Sequence, residues 1–251
     1  INDSLMRVAK NIKLFKPNMI LMVPLMIETF AKKLEDVKDL PEKVVKEAVF
    51  GSQFHTICSG GAYLNPDYIE LFERFGIQIL QGYGMTECGP IICYEDWRKF
   101  KPGSCGKAVP RMDVRVLSSD PENIVGEIVC KGPNVMLGYY KNEEATQEVI
   151  DKDGWLHTGD LALMDEEGNV TIKGRSKNLL LSSSGQNIYP EEIEDKLNNL
   201  PYVAESIIVQ QNEKLVGLVY PDFDDAFAHG LKTEDIEQVM EENRVTLNTM
   251  L

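Results

Sequence analysis

The sequence predicts an α/β fold: a helix-covered, mostly parallel sheet, then an antiparallel barrel-like section, then a smaller α+β C-terminal section. Three observations lead there. Up to about residue 80, apolar runs alternate between helical and strand periodicity. From Gly103 to Gly174, short apolar stretches are instead separated by Pro, Gly and Asp turns. After Arg175 a polar stretch leads into a helix that opens on a proline, two more strand signals and a last helix.

The elements follow in chain order. Leu5, Val8, Ala9 and Ile12 recur at helical spacing, and Asn18–Val23 reads as a short buried strand. Leu25–Leu40 carries the next helix, with charges outward and Pro41 closing it. Phe54–Cys58 reads as a strand, Pro66–Phe75 as a helix stopped by Gly76, and Ile77–Leu80 as a third strand. Such a βαβ rhythm favours a mostly parallel sheet covered by helices. In the second section Asp113–Leu117, Gly126–Cys130, Leu161–Met164 and Asn169–Ile172 read as strands, with one helix at about Glu143–Ile150. Then come the polar stretch Ser182–Gly185, a helix Pro190–Asn199 with proline in its first turn, and strands Ser206–Gln210 and Val216–Tyr220. A final helix starts at Thr233, read as its N-cap, with acids in the first turn.

Composition narrows the function. A chain of 251 residues can bury a substantial core. Its net charge of −14 argues against a nucleic-acid partner, because phosphate binding needs a basic surface. The longest apolar run, Met19–Ile27, is broken by Pro24 and is too short to span a bilayer. No signal-peptide pattern opens the chain, and a cytoplasmic location is expected. Ile1 begins without an initiator methionine, so the chain is expected to be an excised piece. The five cysteines form no CxxC pair and read as reduced thiols, and with three histidines a zinc site is not expected.

Several residues can carry chemistry. Cys58-Ser-Gly-Gly-Ala62 follows a strand and precedes a helix, where glycines let a backbone approach a ligand; alone, it reads as a tight turn. Gln81–Glu87 leaves a strand into a glycine-containing loop at the carboxyl end of the parallel sheet, where ligands of such folds bind. Tyr83 can stack a base or pack in the core, Thr86 can donate to a phosphate oxygen, and Glu87 can ligate Mg²⁺ or be a solvated acid. Asp160 alone reads as a turn residue and Arg175 as a surface cation. His157 reads as structural rather than as a base.

Taken in order, four segments resemble the adenylate-forming superfamily of acyl-CoA synthetases, luciferases and peptide-synthetase adenylation domains. They are Gln-Gly-Tyr-Gly-Met-Thr-Glu at 81–87, Gly-Trp-Leu-His-Thr-Gly-Asp-Leu at 154–161, Lys-Gly-Arg-Ser-Lys at 173–177 and Gly-Gln-Asn-Ile-Tyr-Pro-Glu-Glu-Ile-Glu at 185–194. The resemblance runs from about residue 18 to about residue 220. It implies binding of ATP or AMP, with Gly61, Ala62 and Tyr63 along the adenine and Gln81, Gly82 and Tyr83 beside them. It further implies Thr86 on the α-phosphate, Glu87 on Mg²⁺, Asp160 on the ribose hydroxyls and Arg175 on ribose or phosphate. Lys177 becomes a hinge, and Gly185 lies near the pantetheine tunnel of CoA, in a stretch one residue longer than in many relatives. Pro133–Tyr140 and the acidic helix Glu191–Glu194 read as scaffold.

The resemblance also implies a domain plan. Residues 1–174 form the C-terminal portion of a large AMP-binding domain, with 1–102 its α/β part and 103–174 its barrel-like part. Residues 175–177 form the hinge and 178–251 a truncated small domain. The implied activity is AMP-forming acid–CoA ligation through an acyl-adenylate, most like the long-chain fatty-acid–CoA ligases. A phosphate loop with a lysine is expected before Ile1 and a Gly-Lys motif beyond Leu251, so the chain by itself is expected not to adenylate. An adenylation domain that loads a carrier protein, or a non-catalytic nucleotide-binding module, remains an alternative. Homodimerisation and peripheral membrane contact stay open.

Overall fold

A computed structural model describes residues 5–62, 64–96, 98–99, 101–182, 185–212 and 214–250. The chain divides into two compact units, Ile1–Thr158 with Ala162–Ile172, and Gly159–Leu161 with Lys173–Leu251.

In the first unit α1 (Leu5–Phe15) precedes β1 (Met19–Met22), and α2 (Pro24–Glu35) follows at once with Pro24 in its first turn. The single helix expected up to Leu40 is two. α2 tightens into three-residue turns after Glu35, and α3 (Glu42–Val49) starts on Pro41. Proline stops a helix from its interior but is well placed to begin one. Next come β2 (Thr56–Gly60), α4 (Pro66–Arg74) and β3 (Gln78–Gly84). Asn65 caps α4 by accepting the Asp67 amide at 2.8 Å, and Gly76 leaves it at φ +65°.

β1, β2 and β3 pair in parallel, so the expected helix-covered parallel sheet is present. β3 runs past its expected end at Leu80. Gln81, Gly82, Tyr83 and Gly84 are strand rather than loop, because Gln81 still pairs with Ser59 on β2 and β4 (Ile91–Tyr94) pairs antiparallel with Gly82 to Gly84. β5 (Lys107–Ala108) completes the sheet in the order β1-β2-β3-β4-β5. Beneath it lies a core in which the Phe50 ring stacks on Phe54 at 5.0 Å and tilts against Phe30 and Phe72. Each such ring, fully buried, contributes about 1.5–3 kcal/mol.

β6 (Asp113–Leu117), β7 (Gly126–Lys131), β8 (Leu156–Met164) and β9 (Val170–Arg175) form a four-stranded sheet in sequence order. The section expected to be barrel-like is antiparallel at β6–β7 but does not close into a barrel. α5 (Glu143–Val149) lies between β7 and β8, capped by Asn142.

The second unit holds two small antiparallel pairs, β10 (Leu180–Leu181) with β11 (Asn187–Ile188), and β12 (Val203–Gln211) with β13 (Lys214–Pro221). α6 (Pro190–Asn198), α7 (Phe223–Ala228) and α8 (Thr233–Met250) accompany them. Ile193, Leu197, Ile208 and Leu247 form its core. Thr233 is the first residue of α8 rather than its cap, and the Asp235 carboxylate reaches back to the Lys232 amide at 2.8 Å. No helix among the described residues is long and apolar enough to cross a membrane.

Candidate active site

In the first unit a cavity of about 960 Å³ opens at the carboxyl ends of β1, β2 and β3. Gly60, Gly61, Gln81, Gly82, Tyr83 and Thr86 border it. Parallel strands end with unpaired backbone there, and loops can receive a ligand. Gly61 takes φ +89°, and a Cβ built on it would meet nothing within 4 Å, so its backbone stands open. Ala62 is exposed beside it, and Tyr63 lies outside the described residues.

Gly84 makes the exit from β3 possible. A methyl group there would collide with the Pro90 carbonyl, so the chain can fold back this closely only without a side chain. Thr86–Cys88 is a single 3-10 turn closed by left-handed Gly89. Thr86 is exposed and Glu87 half-buried. The Glu87 Oε1 accepts the Tyr139 hydroxyl at 2.8 Å, while its carbonyl accepts the Met136 amide at 2.7 Å. The adjacent carboxylate raises the Tyr139 pKa, because it stabilises the protonated phenol. Tyr139 is itself placed by its own amide, which donates to Thr146 Oγ1 at 2.9 Å. Pro133–Tyr140, read as scaffold, therefore touches the candidate metal ligand directly. A Gly-Tyr-Tyr run after a Pro-Asn turn was the available signal.

Among the described residues no cluster of three or more metal-ligating side chains occurs. A lone carboxylate fits Mg²⁺ nonetheless, since that ion keeps several waters and takes one or two carboxylates plus substrate phosphates. Glu87 Oε1 is held by Tyr139, which leaves Oε2 to face a cation.

In the second unit Asp160 is 6% exposed, and its Oδ1 meets Arg175 Nε at 2.9 Å. The two expected ribose-binding residues are thus one charge-assisted pair. Arg175 ends β9 with its side chain about half exposed, which moderates the strength of that pair. Lys177 is exposed in the next turn, Ser176–Asn178. Gly185 is exposed at φ +78°, its amide bonded to the Ser182 carbonyl at 2.9 Å. α6 is tied to this region through Glu192 to Lys173 at 2.8 Å and Glu191 to Asn178 at 2.7 Å.

Other side chains settle elsewhere. His157 Nδ1 lies 2.9 Å from Glu127 Oε2, and Asp151 stands 3.9 Å from its other nitrogen, a structural arrangement. Cys88 and Cys130 approach to 3.6 Å inside the core although 42 residues separate them, a proximity that CxxC spacing could not reveal.

The sequence profile of the AMP-binding enzyme family matches residues 2–140. A 2-succinylbenzoate–CoA ligase of Bacillus cytotoxicus is 39% identical over 198 residues, 77% of this chain and 40% of that protein. A long-chain-fatty-acid–CoA ligase of Escherichia coli O6:H1 is 41% identical over 160 residues, 61% of this chain and 28% of that protein. The solved O-succinylbenzoate coenzyme A synthetase (MenE) of Bacillus subtilis, in complex with ATP and magnesium ion, superposes with a TM-score of 0.69 at 30% identity. It covers 87% of this chain, which in turn covers 44% of MenE. The chain therefore spans less than half the length of these proteins. With a glycine-lined cavity at the carboxyl ends of its parallel strands, a Thr-Glu turn at the rim and a profile match over more than half its length, the chain belongs to the AMP-binding enzyme family.

Proposed function

We propose that this chain is part of an ATP-dependent carboxylic acid–CoA ligase whose acid is a fatty acid. The observation that carries the reading is the Thr86–Glu87 turn, set at the rim of the cavity with its carboxylate anchored by Tyr139. Thr86 would donate its hydroxyl to an α-phosphate oxygen, and Glu87 would hold Mg²⁺. That ion, when bound, neutralises charge on the phosphates. Gly61, Ala62, Tyr63, Gln81, Gly82 and Tyr83 would bracket the adenine, while Asp160 accepts from the ribose hydroxyls and Arg175 steadies it. An oxygen of the acid's carboxylate attacks the α-phosphorus, the bond to pyrophosphate breaks, and an acyl-adenylate results. The CoA thiol, losing its proton, then attacks the acyl carbon and AMP departs. Lys177 would be the hinge between the two steps, with Gly185 near the pantetheine arm. Positioning and charge stabilisation are what these residues supply.

Support for a fatty acid comes from the apolar cavity wall, which includes Val8, Ile20, Met22 and Met26. The relatives named above are ligases of different acids, and one of them, 41% identical over 160 residues, is a long-chain-fatty-acid–CoA ligase. The test is calorimetric titration with AMP and with a non-hydrolysable long-chain acyl-adenylate. Saturable binding, tighter for the acyl form and lost in Asp160→Ala, is expected. Tyr139→Phe should weaken the Mg²⁺ dependence of ATP binding by about tenfold or more, the effect of one lost hydrogen bond to a charged group. Binding that ignores both substitutions would refute the site.

A further inference from the structure

Two polar side chains of the first-unit cavity, Ser59 and Glu95, have no part in the roles proposed above. Met22, Ser59 and Gln81 are successive register partners on β1, β2 and β3. Glu95 extends the row, since its amide donates to the Gln81 carbonyl at 3.0 Å just beyond the Gly82–Tyr94 pair. Residues directly opposite one another in a sheet point to the same face. Ser59 and Glu95 are buried, at 4% and 3% exposure, and both line the cavity. Glu95 Oε2 accepts the Gln81 amide at 2.7 Å, but neither Glu95 Oε1 nor Ser59 Oγ has a hydrogen-bond partner among the described residues.

Two orphaned polar atoms on one row, in a wall that is otherwise largely apolar, call for an explanation, because unsatisfied buried groups are costly and rare. Burial pushes the Glu95 carboxyl up to about 7, against the pull of the Gln81 and Lys101 amides. We propose that Ser59 and Glu95 receive a hydroxyl group carried by the acid substrate away from its carboxylate, so that the enzyme selects hydroxylated over plain fatty acids. This rests on the ligase reading above. An ammonium group would bring three donors into a wall that offers few acceptors, whereas a hydroxyl brings one. Apolar pockets discriminate weakly against an added hydroxyl, but a site built to hydrogen-bond one rejects the analogue that lacks it.

The experiment compares calorimetric binding of a saturated fatty acid with its hydroxy isomers, substituted at successive positions, on the full-length enzyme. At least one isomer should bind about tenfold tighter than the plain acid, the ratio worth about 1.4 kcal/mol. Glu95→Gln and Ser59→Ala should each reduce that ratio towards one. Should Glu95→Gln fail to fold, Ser59→Ala, which removes a single oxygen from a strand, decides alone. Equal binding of plain and hydroxy acids would overturn the proposal, as would a preference unchanged in Ser59→Ala. If AMP binds but no carboxylic acid does, the ligase reading itself falls.

Discussion

At the scale of single residues, Glu95 ties pH to stability. Its carboxyl titrates at about 7 in the folded chain against an ordinary value of 4.5. Between those pH values the folded state keeps a proton that the unfolded state has released. Its contribution is therefore most favourable below 4.5 and is lost as pH rises to 7, by at most about 3 kcal/mol. Urea unfolding between pH 4.5 and 8 should show the parent losing stability relative to Glu95→Gln across that window; parallel curves would disprove the assignment. Thr86, Glu87, Asp160 and Arg175 were legible as candidates because their types sit in short, dense motifs. Tyr139 was legible only as scaffold, since its bond to Glu87 spans 52 residues and the Gly-Tyr-Tyr run around it does not say which partner it meets. Ser59 was likewise hidden inside a glycine turn, where the eye goes to Gly60 and Gly61.

Elements were legible where one periodicity held. α4 shows why: Asn65, Pro66 and Gly76 punctuate it, and Asn65 caps as its type suggests. Asn65→Ala should lower stability by about 1 kcal/mol, seen as a lower urea midpoint with unchanged slope. A midpoint within error of the parent would show the cap to be idle. Boundaries failed where one residue can serve two neighbours. Pro41 ends nothing in the structure and instead opens α3. Gln81 to Gly84 have the glycines of a loop, yet remain strand because β2 pairs with Gln81 and β4 with Gly82 to Gly84. β4 itself, Ile-Ile-Cys-Tyr, is too short to display alternation.

At the scale of the molecule, the succession of a sheet with parallel strands, a second sheet with an antiparallel pair and a smaller α+β region was readable from changes in periodicity. That the second sheet stays open was not, because closure depends on strand tilt and stagger rather than on which residues are apolar. The formal charge of −14 gives one further expectation. Like charges repel most in the compact state, and salt shortens their reach from about 30 Å at 0.01 M to about 8 Å at 0.15 M. The melting temperature should rise by a few degrees over that interval, and a fall would mean that attractive ion pairs outweigh the net repulsion.

The fold-back at Gly84 has a consequence in mutational genetics. Every missense change of a glycine codon adds at least one carbon, and here that carbon would strike the Pro90 backbone. A saturation library selected for activity would therefore mark Gly84 as intolerant as Glu87, although Gly84 would act through shape and Glu87 through the proposed Mg²⁺ site. Scoring the same library for soluble expression would separate them: Gly84 variants would vanish from both screens, and Glu87 variants from the activity screen alone.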